Sequence, residues 1–305
     1  MEDGNDDRRD WVQNALARSV LKIALWLPYR LRLAFMGKVV VYVVAPYAGW
    51  TKRVADNLSH VMPETTDRER RRITRGVCDN VGRTLVEIYS GDDFVTRACA
   101  STLEGPGVAA LEDARRTGRP IILATAHLGN YDAIRGKLSR EGYSIGALYR
   151  PMQNEKFNAH YVEAISGVAS PVFPVGARGL AGLIRHLRGG NVVGIVLDVA
   201  KVKTPVLSFF GHPAHTPLTA AEWALKYNAV LLPVFGLRNP DGLSFTIQVE
   251  APLELSTPKA MMQAYNDVVE RAVRQHPEQW FWIHRRWKLS ATARQALNAD
   301  APPQA

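Results

Sequence analysis

The stretch Ile121-Ile-Leu-Ala-Thr-Ala-His127-Leu-Gly-Asn-Tyr-Asp132 decides the fold of this chain. Its first six residues are apolar or β-branched, without polar alternation. This pattern predicts a strand buried on both faces, as in a parallel sheet. A Gly-Asn turn follows, and a helix is predicted to begin at Asp132. Because open α/β sheets bind ligands beyond the carboxyl ends of their strands, we expect His127 at a functional edge.

Short β-prone runs alternate with amphipathic helices from Leu103 toward the C-terminus. Alternation of this kind predicts an α/β fold with a mixed, mostly parallel sheet flanked by helices. The candidate strands are Ile121–Ala126, Ser144–Tyr149, Val192–Leu197, Val230–Gly236 and Ser244–Val249. The candidate helices are Val108–Thr117, Asp132–Glu141, Glu155–Ser166, Arg178–Leu187, Thr219–Tyr227 and Pro258–Gln275.

The chain before residue 100 is predicted to be helical. The candidate helices there are Trp11–Leu27, Leu31–Val44, Lys52–Ser59 and Thr66–Ser90. Up to Trp50 the chain mixes Leu, Val, Trp and Tyr with cations, and its longest charge-free run, Val39–Trp50, is shorter than the ~20 residues that span a bilayer. Such helices suit the membrane interface, and a helical pair packed against its own core fits equally well.

The 305 residues suffice for one large α/β domain or two small ones. We predict a membrane-associating helical region at residues 1–100 and an α/β core at residues 101–290. The remaining residues, 291–305, end in a polar, Pro-rich sequence and are predicted to form a frayed tail.

The formal net charge of +9 indicates an anionic partner. Nucleic acid, anionic lipid headgroups and an acidic carrier protein all meet this condition. The charge favours the membrane surface for the basic, aromatic N-terminal helices. Only Cys78 and Cys99 are present, without metal-ligand spacing, which excludes a disulfide framework and indicates a reducing compartment.

His127 and Asp132 have the residue types of a general base and its orienting carboxylate. Neutral imidazole titrates near working pH, so His127 can take a proton from an attacking hydroxyl. Asp132 can then hold the ring in one tautomer and stabilise the imidazolium. A substrate that supplies its own hydroxyl needs no enzyme nucleophile, and this indicates direct acyl transfer. A purely structural His–Asp pair is the alternative.

Two further polar residues follow predicted strands. Arg150 ends the strand Ser144–Tyr149, so its guanidinium is expected on the same sheet edge as His127, where it can stabilise an oxyanion or hold a phosphate. Asp198 ends the strand Val192–Leu197 and can pair with Arg150 or fix its orientation. A surface arginine and a turn aspartate are the alternatives.

Two aromatic segments are candidate substrate contacts. Phe209-Phe210-Gly211 lies in a Gly/Pro loop whose aromatics look exposed, and it can line the path of an acyl chain or a pantetheine arm. The segment Gln279–Lys288, which includes Arg285 and Arg286, interleaves aromatics with cations. It suits single-stranded nucleic acid, a membrane interface, or burial of its tryptophans.

Two other classes of protein compete with an acyltransferase. Gly142-Tyr-Ser144-Ile-Gly146 matches the nucleophile elbow of a serine hydrolase as a string, but here the strand follows the serine instead of preceding it. A non-catalytic lipid- or nucleic-acid-binding protein would use the net charge and the C-terminal aromatics. That hypothesis leaves the buried strand leading to His127 unexplained.

Taken together, these blocks resemble the bacterial lipid A late acyltransferases of the lauroyl/myristoyl family, within the wider glycerolipid and lysophospholipid acyltransferase superfamily. The resemblance covers nearly the whole chain, and its most specific part is the histidine–four residues–acid motif of His127 and Asp132. The other matching blocks are Asn57-Leu58 with Pro63, Tyr149-Arg150-Pro151, Phe209-Phe210-Gly211, Pro277-Glu278-Gln279-Trp280 and His284-Arg285-Arg286-Trp287-Lys288.

The resemblance implies acyl transfer from an acyl carrier protein or coenzyme A thioester to a hydroxyl of an anionic glycolipid, a lipid A precursor, at the cytoplasmic face of the inner membrane. His127 would be the base, Asp132 its partner and Arg150 the electrophilic or phosphate-binding group. No metal or cofactor is expected, and no nucleic acid. The expected substrate-binding residues are Asn130, Asp198, Phe209, Phe210, Gly211, Arg285 and Arg286.

The chain departs from the family pattern at two places. The family's acid is often glutamate, whereas this chain has Asp132. After Asp198 the family commonly has a glutamine and a glycine-containing loop, where this chain has Val199-Ala-Lys-Val-Lys203. This loop can recognise a different headgroup, which keeps acceptors such as mannolipids, ornithine lipids and lysophospholipids open.

Overall fold

The computed structural model of the chain describes residues 18–152, 154–201 and 203–299. Its strands are β1 (Thr102–Glu104), β2 (Ile121–Thr125), β3 (Ile145–Tyr149), β4 (Val172–Pro174), β5 (Val192–Val196), β6 (Val206–Phe209), β7 (His212–His215), β8 (Val230–Arg238) and β9 (Phe245–Val249). Seven strands form a sheet in the order β1-β9-β8-β2-β5-β3-β4, and β6 and β7 form a separate hairpin. All neighbours in the large sheet are parallel except β8 and β9. The predicted α/β fold with a mostly parallel sheet flanked by helices is confirmed.

The N-terminal part of the described chain is helical. Its helices are α1 (18–26), α2 (Tyr29–Val39), α3 (Ala45–Tyr47), α4 (Trp50–Val61), α5 (Asp67–Ile88) and α6 (Asp92–Cys99). A π-helical turn, Val40–Val44, joins α2 to α3. A capping box fixes the start of α5, where Thr66 and Glu69 each accept from the other's backbone N–H. The sequence did not predict α6, and residues 11–17 of the first predicted helix lie outside the described part.

The helices from residue 101 onward alternate with the strands. They are α7 (Val108–Thr117), α8 (Tyr131–Arg140), α9 (Glu155–Val168), α10 (Ala177–Arg188), α11 (Thr219–Tyr227), α12 (Pro258–Gln275) and α13 (Ala291–Ala299), with a 3-10 turn at Pro277–Gln279. Helix α13 occupies the first part of the predicted tail, and residues 300–305 lie outside the described part.

The two faces of the sheet carry separate hydrophobic clusters. Ile122 and Val193 pack on one face with apolar residues of α10, α11 and α12. Leu123 and Ile145 pack on the other face with residues of α6, α7 and α8. The N-terminal helices reach both clusters, since Leu58 of α4 joins the first and Leu33 of α2 joins the second. These helices are thus packed on the sheet through their buried sides.

Their outward sides leave several large apolar residues in solvent, among them Trp26, which is 90% exposed, and Tyr47, which is 91% exposed. Across the described ranges, no single helix combines the length and hydropathy needed to cross a membrane. Within the same ranges, one pair of segments meets that test of length and composition when taken together, Tyr29–Tyr47 with Trp50–Val61, and the pair is bent by 85° at its junction.

Candidate active site

The strand register brings His127 and Asp198 together. In the parallel pair β2–β5, Thr125 lies opposite Val196, so the residues two positions beyond each strand also come to lie side by side. The His127 ring nitrogen Nδ1 is 2.8 Å from Oδ1 of Asp198. The backbone N–H of His127 donates to Oδ2 of the same carboxylate at 2.9 Å. Asp198 therefore fixes both the ring and the main chain of His127.

The protonation states of this pair follow from its surroundings. Burial alone would raise the pKa of Asp198, but the charge and the hydrogen bonds of His127 outweigh it and lower that pKa. Trp280 also donates its indole N–H to Oδ2 at 2.8 Å. For His127, burial lowers the pKa, and the charge and hydrogen bond of Asp198 reverse the direction and raise it. Because an ionised carboxylate only accepts, the Nδ1 proton points to Asp198 and Nε2 is the nitrogen left to act as a base.

Asp132 does not make the predicted contact with the His127 ring. It lies in the first turn of α8, buried, with Oδ1 accepting from Nη1 of Arg135 at 2.5 Å. Arg135 also donates to the carbonyl oxygens of Ile165 and Ala169, which ties α8 to the end of α9. The expected His127–Asp132 pairing is corrected to His127–Asp198, because the neighbouring strand supplies a closer carboxylate than the following helix. A catalytic role of Asp132 stays a prediction.

A cavity of about 630 Å³ opens beside His127. It lies between one face of the sheet and the helices α8 and α9. Its apolar wall includes Leu123, Ile134, Ile145, Ala147, Ile165, Val172, Gly194, Val196 and Val234. Polar groups of His127, Asp132, Arg150 and His284 share the same cavity. Its size falls in the range of small-molecule sites, and its lining suits a ligand with a long apolar part.

Arg150 follows the carboxyl end of β3, as predicted, and lines the cavity. Its side chain is exposed, and no ion pair joins it to a carboxylate within the described residues. The expected contact between Arg150 and Asp198 is not formed, since the Asp198 oxygens are taken by His127 and Trp280. Its guanidinium is therefore available to a substrate.

His284 is a site residue that the sequence did not single out. Its ring centroid lies 4.8 Å from that of His127, and the side chain lines the cavity. Burial, with the nearby His127 adding to it, lowers its pKa to about 4, so the ring is neutral at pH 7. Its buried Nε2 has no hydrogen-bond partner within the described chain. The sequence placed His284 in a block that resembles the family, but its contact with His127, 157 residues earlier, is visible only in the tertiary structure.

Asn130 shapes the turn that presents His127. Its side chain caps α8 by accepting from the N–H of Asp132 at 2.9 Å and donates to Glu87 at 2.7 Å. The preceding Gly129 has φ 65°, and a Cβ there would come within 2.0 Å of the Gly236 carbonyl oxygen. Asn130 is buried and lies outside the cavity lining, so the structure gives it a positioning role where the sequence predicted a substrate contact.

The predicted aromatic contacts lie elsewhere. Phe209 and Phe210, expected to be exposed, are only 2% and 4% exposed. Phe209 stacks on Trp287 with ring centroids 5.7 Å apart, and the hairpin turn at Gly211 follows. This packing on the C-terminal tryptophans corrects the expected exposure. None of the three residues lines the cavity.

The two C-terminal arginines have different surroundings. Arg286 is buried and donates to the His215 carbonyl oxygen and to Oγ1 of Thr216, while Arg285 is exposed. Neither lines the cavity beside His127. Substrate binding by Arg285, Arg286 and the Phe209-Phe210-Gly211 block stays a prediction without a contact to support it.

Ser144 lies at the opposite edge of the sheet from His127. It immediately precedes β3, whereas His127 follows the carboxyl end of the parallel strand β2. Its carbonyl oxygen is in hydrogen-bond contact with His186 at 3.0 Å. A nucleophile at this position has no base from the His127 pair, which removes the geometric basis of a Ser144 hydrolase.

A histidine–carboxylate pair at the carboxyl edge of an α/β sheet, open to an apolar cavity, defines an enzyme that can activate a hydroxyl beside an apolar substrate. The family described as bacterial lipid A biosynthesis acyltransferase matches residues 7–289, and the chain belongs to this family. The prediction of an acyltransferase is confirmed.

Similar proteins from three organisms match most of the chain. A lipid A biosynthesis lauroyltransferase of Escherichia coli is 26% identical over 287 residues, which cover 90% of each protein. A lipid A biosynthesis acyltransferase of Haemophilus influenzae is 23% identical and covers 86% of this chain and 83% of its own. A phosphatidylinositol mannoside acyltransferase of Mycobacterium tuberculosis is 24% identical over 236 residues, 72% of each protein.

Proposed function

We propose that this protein transfers a fatty acyl chain from an acyl carrier protein or coenzyme A thioester to a hydroxyl of a lipid A precursor. In this proposal it works at the cytoplasmic face of the inner membrane, as a peripheral or monotopic protein. The observation that carries the proposal is the His127–Asp198 pair at the mouth of an apolar cavity. Membership of the lipid A acyltransferase family supports the same reaction.

The chemistry follows from the orientation of His127. Its Nε2 takes the proton of the acceptor hydroxyl as the oxygen attacks the thioester carbon. The resulting imidazolium is stabilised by Asp198 through Nδ1. When the tetrahedral intermediate collapses, the carbon–sulfur bond breaks and the imidazolium returns the proton to the leaving thiolate. The products are an ester and a free thiol, and His127 regains its starting state.

We assign the stabilisation of the negative oxygen of that intermediate to two groups that line the cavity. Arg150 offers a charged, planar donor at the carboxyl end of β3. His284 is neutral, and its Nε2 has no partner among the described residues, so in the tautomer protonated there it can donate a hydrogen bond to the substrate. In this proposal the thioester carbonyl lies beside His127 in the cavity that these two side chains also line.

The acyl chain occupies the cavity. The apolar wall formed by the sheet and by α8 and α9 removes methylene groups from water, which contributes ~0.8 kcal/mol for each CH₂. The Asp132–Arg135 ion pair holds α8 against the end of α9 and thereby maintains this wall. Asp132 acts in this proposal by positioning, although it belongs to the histidine–acid motif.

A second acceptor class remains a candidate, since one relative is named a phosphatidylinositol mannoside acyltransferase. Val199, the first residue of the loop that departs from the family pattern, lines the cavity. Substitutions near this loop are expected to change the acceptor without changing the His127 chemistry.

A mass-resolved transfer assay tests the proposal. Purified protein and the His127→Ala variant are each incubated with acyl carrier protein or coenzyme A thioesters and, separately, with a lipid A precursor, a mannolipid or a lysophospholipid. A His127-dependent mass gain on the lipid A precursor supports the full proposal. A gain only on another acceptor keeps the chemistry and changes the substrate. Full activity of a folded His127→Ala variant contradicts the mechanism.

A further inference from the structure

One face of α5 carries an uninterrupted row of cations. The row begins at Arg68 and continues three, four and seven residues later. This spacing places its members on one side of the helix: Arg68, Arg71, Arg72 and Arg75. All four side chains are exposed. We call this set the arginine face. Lys38 of α2 adds a fifth exposed cation, because it lines the same groove.

The carboxylates near this face are already engaged. Asp67 pairs with Arg70 at 2.8 Å, and Asp79 pairs with Arg83 at 2.5 Å. Within 18–152, 154–201 and 203–299, no ion pair involves the arginine face or Lys38. Glu69 forms the capping box with Thr66, and its charge also acts on Arg72. The five cations outnumber the carboxylates beside them, so this surface has an excess of positive charge that attracts an anionic ligand.

The arginine face borders two adjoining grooves of about 610 and 500 Å³. Both grooves are lined by Arg71 and Arg75 on one wall and by Val41 and Tyr42 on the other. Each groove therefore offers cations on one side and apolar surface on the other. This combination matches an amphiphile whose anionic group adjoins an apolar part.

Large apolar side chains stand exposed beside the grooves. Tyr42 is 63% exposed, Val43 is 51% exposed and Tyr47 is 91% exposed. Trp26 and Leu31 extend this exposure along α1 and α2. An apolar surface spread over successive helices fits an extended lipid layer better than the compact hot spot of a protein partner. Exposed aromatics next to clustered arginines are typical of segments at an anionic membrane surface.

We propose that the arginine face, with Lys38, binds the phosphate groups of anionic phospholipids while Tyr42 and Tyr47 enter the membrane interface. This inference rests on the membrane association given in the proposed function and assigns it to a defined surface. Each cation near an anionic leaflet contributes ~1 kcal/mol, so removing one is expected to weaken binding about fivefold.

Vesicle co-sedimentation of the full chain tests this docking surface. The vesicles contain phosphatidylcholine alone or an equal mixture of phosphatidylcholine and phosphatidylglycerol. The double variant Arg71→Gln/Arg75→Gln is expected to bind the mixed vesicles about 25-fold more weakly, through two lost charges. The matched control, Arg185→Gln/Arg188→Gln, removes two exposed arginines from α10 and is expected to bind like the unaltered protein. Circular dichroism of both variants establishes that they fold.

A second variant separates a lipid surface from a simple phosphate site. The variant Tyr42→Ser/Tyr47→Ser is expected to bind vesicles more weakly than the unaltered protein even at high salt. At high salt the arginine variant and the unaltered protein are expected to bind vesicles equally, because salt screens exposed charges. Equal vesicle binding by the arginine variant and its control overturns the docking surface. If the arginine variant binds vesicles normally but no longer binds acyl carrier protein, the arginine face serves a protein partner. That result also overturns the proposal of a lipid-docking surface. Failure of the unaltered protein to bind any vesicle overturns the membrane association itself, and acyl transfer measured in detergent tests the reaction separately.

Discussion

At the scale of single residues, the proposed role of His127 as a base depends on Asp198. It contacts Nδ1 of the ring at 2.8 Å and the backbone N–H at 2.9 Å, and Trp280 holds it from the other side. General-base contributions of this kind amount to roughly 10²–10⁴ in rate. The Asp198→Asn variant is therefore expected to lower kcat by about 100-fold or more.

The matched comparison for Asp198→Asn is Asp132→Asn, since both remove one buried negative charge beside the cavity. Asp132→Asn is expected to alter packing of α8 and lower stability more than it lowers kcat, because its partner is Arg135. Steady-state kinetics and thermal unfolding of the two variants distinguish the assignments. If the Asp132→Asn enzyme folds but is inactive while the Asp198→Asn enzyme is fully active, Asp132 is the functional partner of His127, as predicted from the sequence.

The same pair sets the pH dependence of the reaction. His127 must be neutral to accept a proton, and Asp198 raises its pKa above the ordinary value near 6.5. kcat/KM is therefore expected to fall as the pH drops through this raised pKa, with a midpoint above 6.5. In Asp198→Asn the charge that raises the pKa is gone, so the midpoint should move to lower pH. A pH profile with the same midpoint in both proteins contradicts this coupling.

At the scale of secondary-structure elements, β5 forms part of the wall of the cavity that we propose for the acyl chain. Gly194 lies opposite Leu123 and Ala147 of the flanking strands, four residues before Asp198 and so about 13 Å below it along the strand. A Cβ built at Gly194 would have only Ile145 Cδ1 within 4 Å, at 3.9 Å. The cavity is open at this level because the residue is glycine.

Gly194→Val is accordingly expected to shift the enzyme toward shorter acyl donors. Each methylene excluded from the cavity should weaken the long-chain reaction by about fourfold, while donors too short to reach Gly194 react as before. Competition between acyl thioesters of different length, read by mass spectrometry, measures the shift. The short donors serve as the internal control for folding. An unchanged length profile places the acyl chain elsewhere.

The elements also show what the sequence can and cannot specify. The sequence predicts two helices with the bounds that the structure shows, Val108–Thr117 and Pro258–Gln275. An amphipathic period identifies each helix, and turn residues mark its ends. The three-residue strands β1 and β4 were missed, since so short a run at a sheet edge carries no pattern. The partner of His127 was misassigned because strand order, which places β5 beside β2, is a tertiary property.

At the scale of the whole molecule, Glu87 connects the N-terminal helices to the site. This fully buried carboxylate of α5 accepts from Arg238 of β8 at 2.5 and 2.6 Å, from Asn130 at 2.7 Å and from Tyr29 of α2 at 3.3 Å. Asn130 belongs to the turn that carries His127. The N-terminal helices are therefore structural supports of the active site as well as the proposed membrane surface.

Glu87→Gln tests this connection, because it removes the charge from a buried ion pair and leaves Arg238 uncompensated. We expect the free energy of unfolding to fall by ~3 kcal/mol or more, and kcat to fall with it as the His127 turn loosens. The matched control is Lys52→Gln, which breaks an ion pair exposed on both sides and should cost under ~1 kcal/mol without changing kcat. Urea unfolding and steady-state kinetics measure both effects. Equal stability of the two variants would mean that Glu87 does not hold the turn, and the N-terminal helices would then act on the reaction only through the membrane.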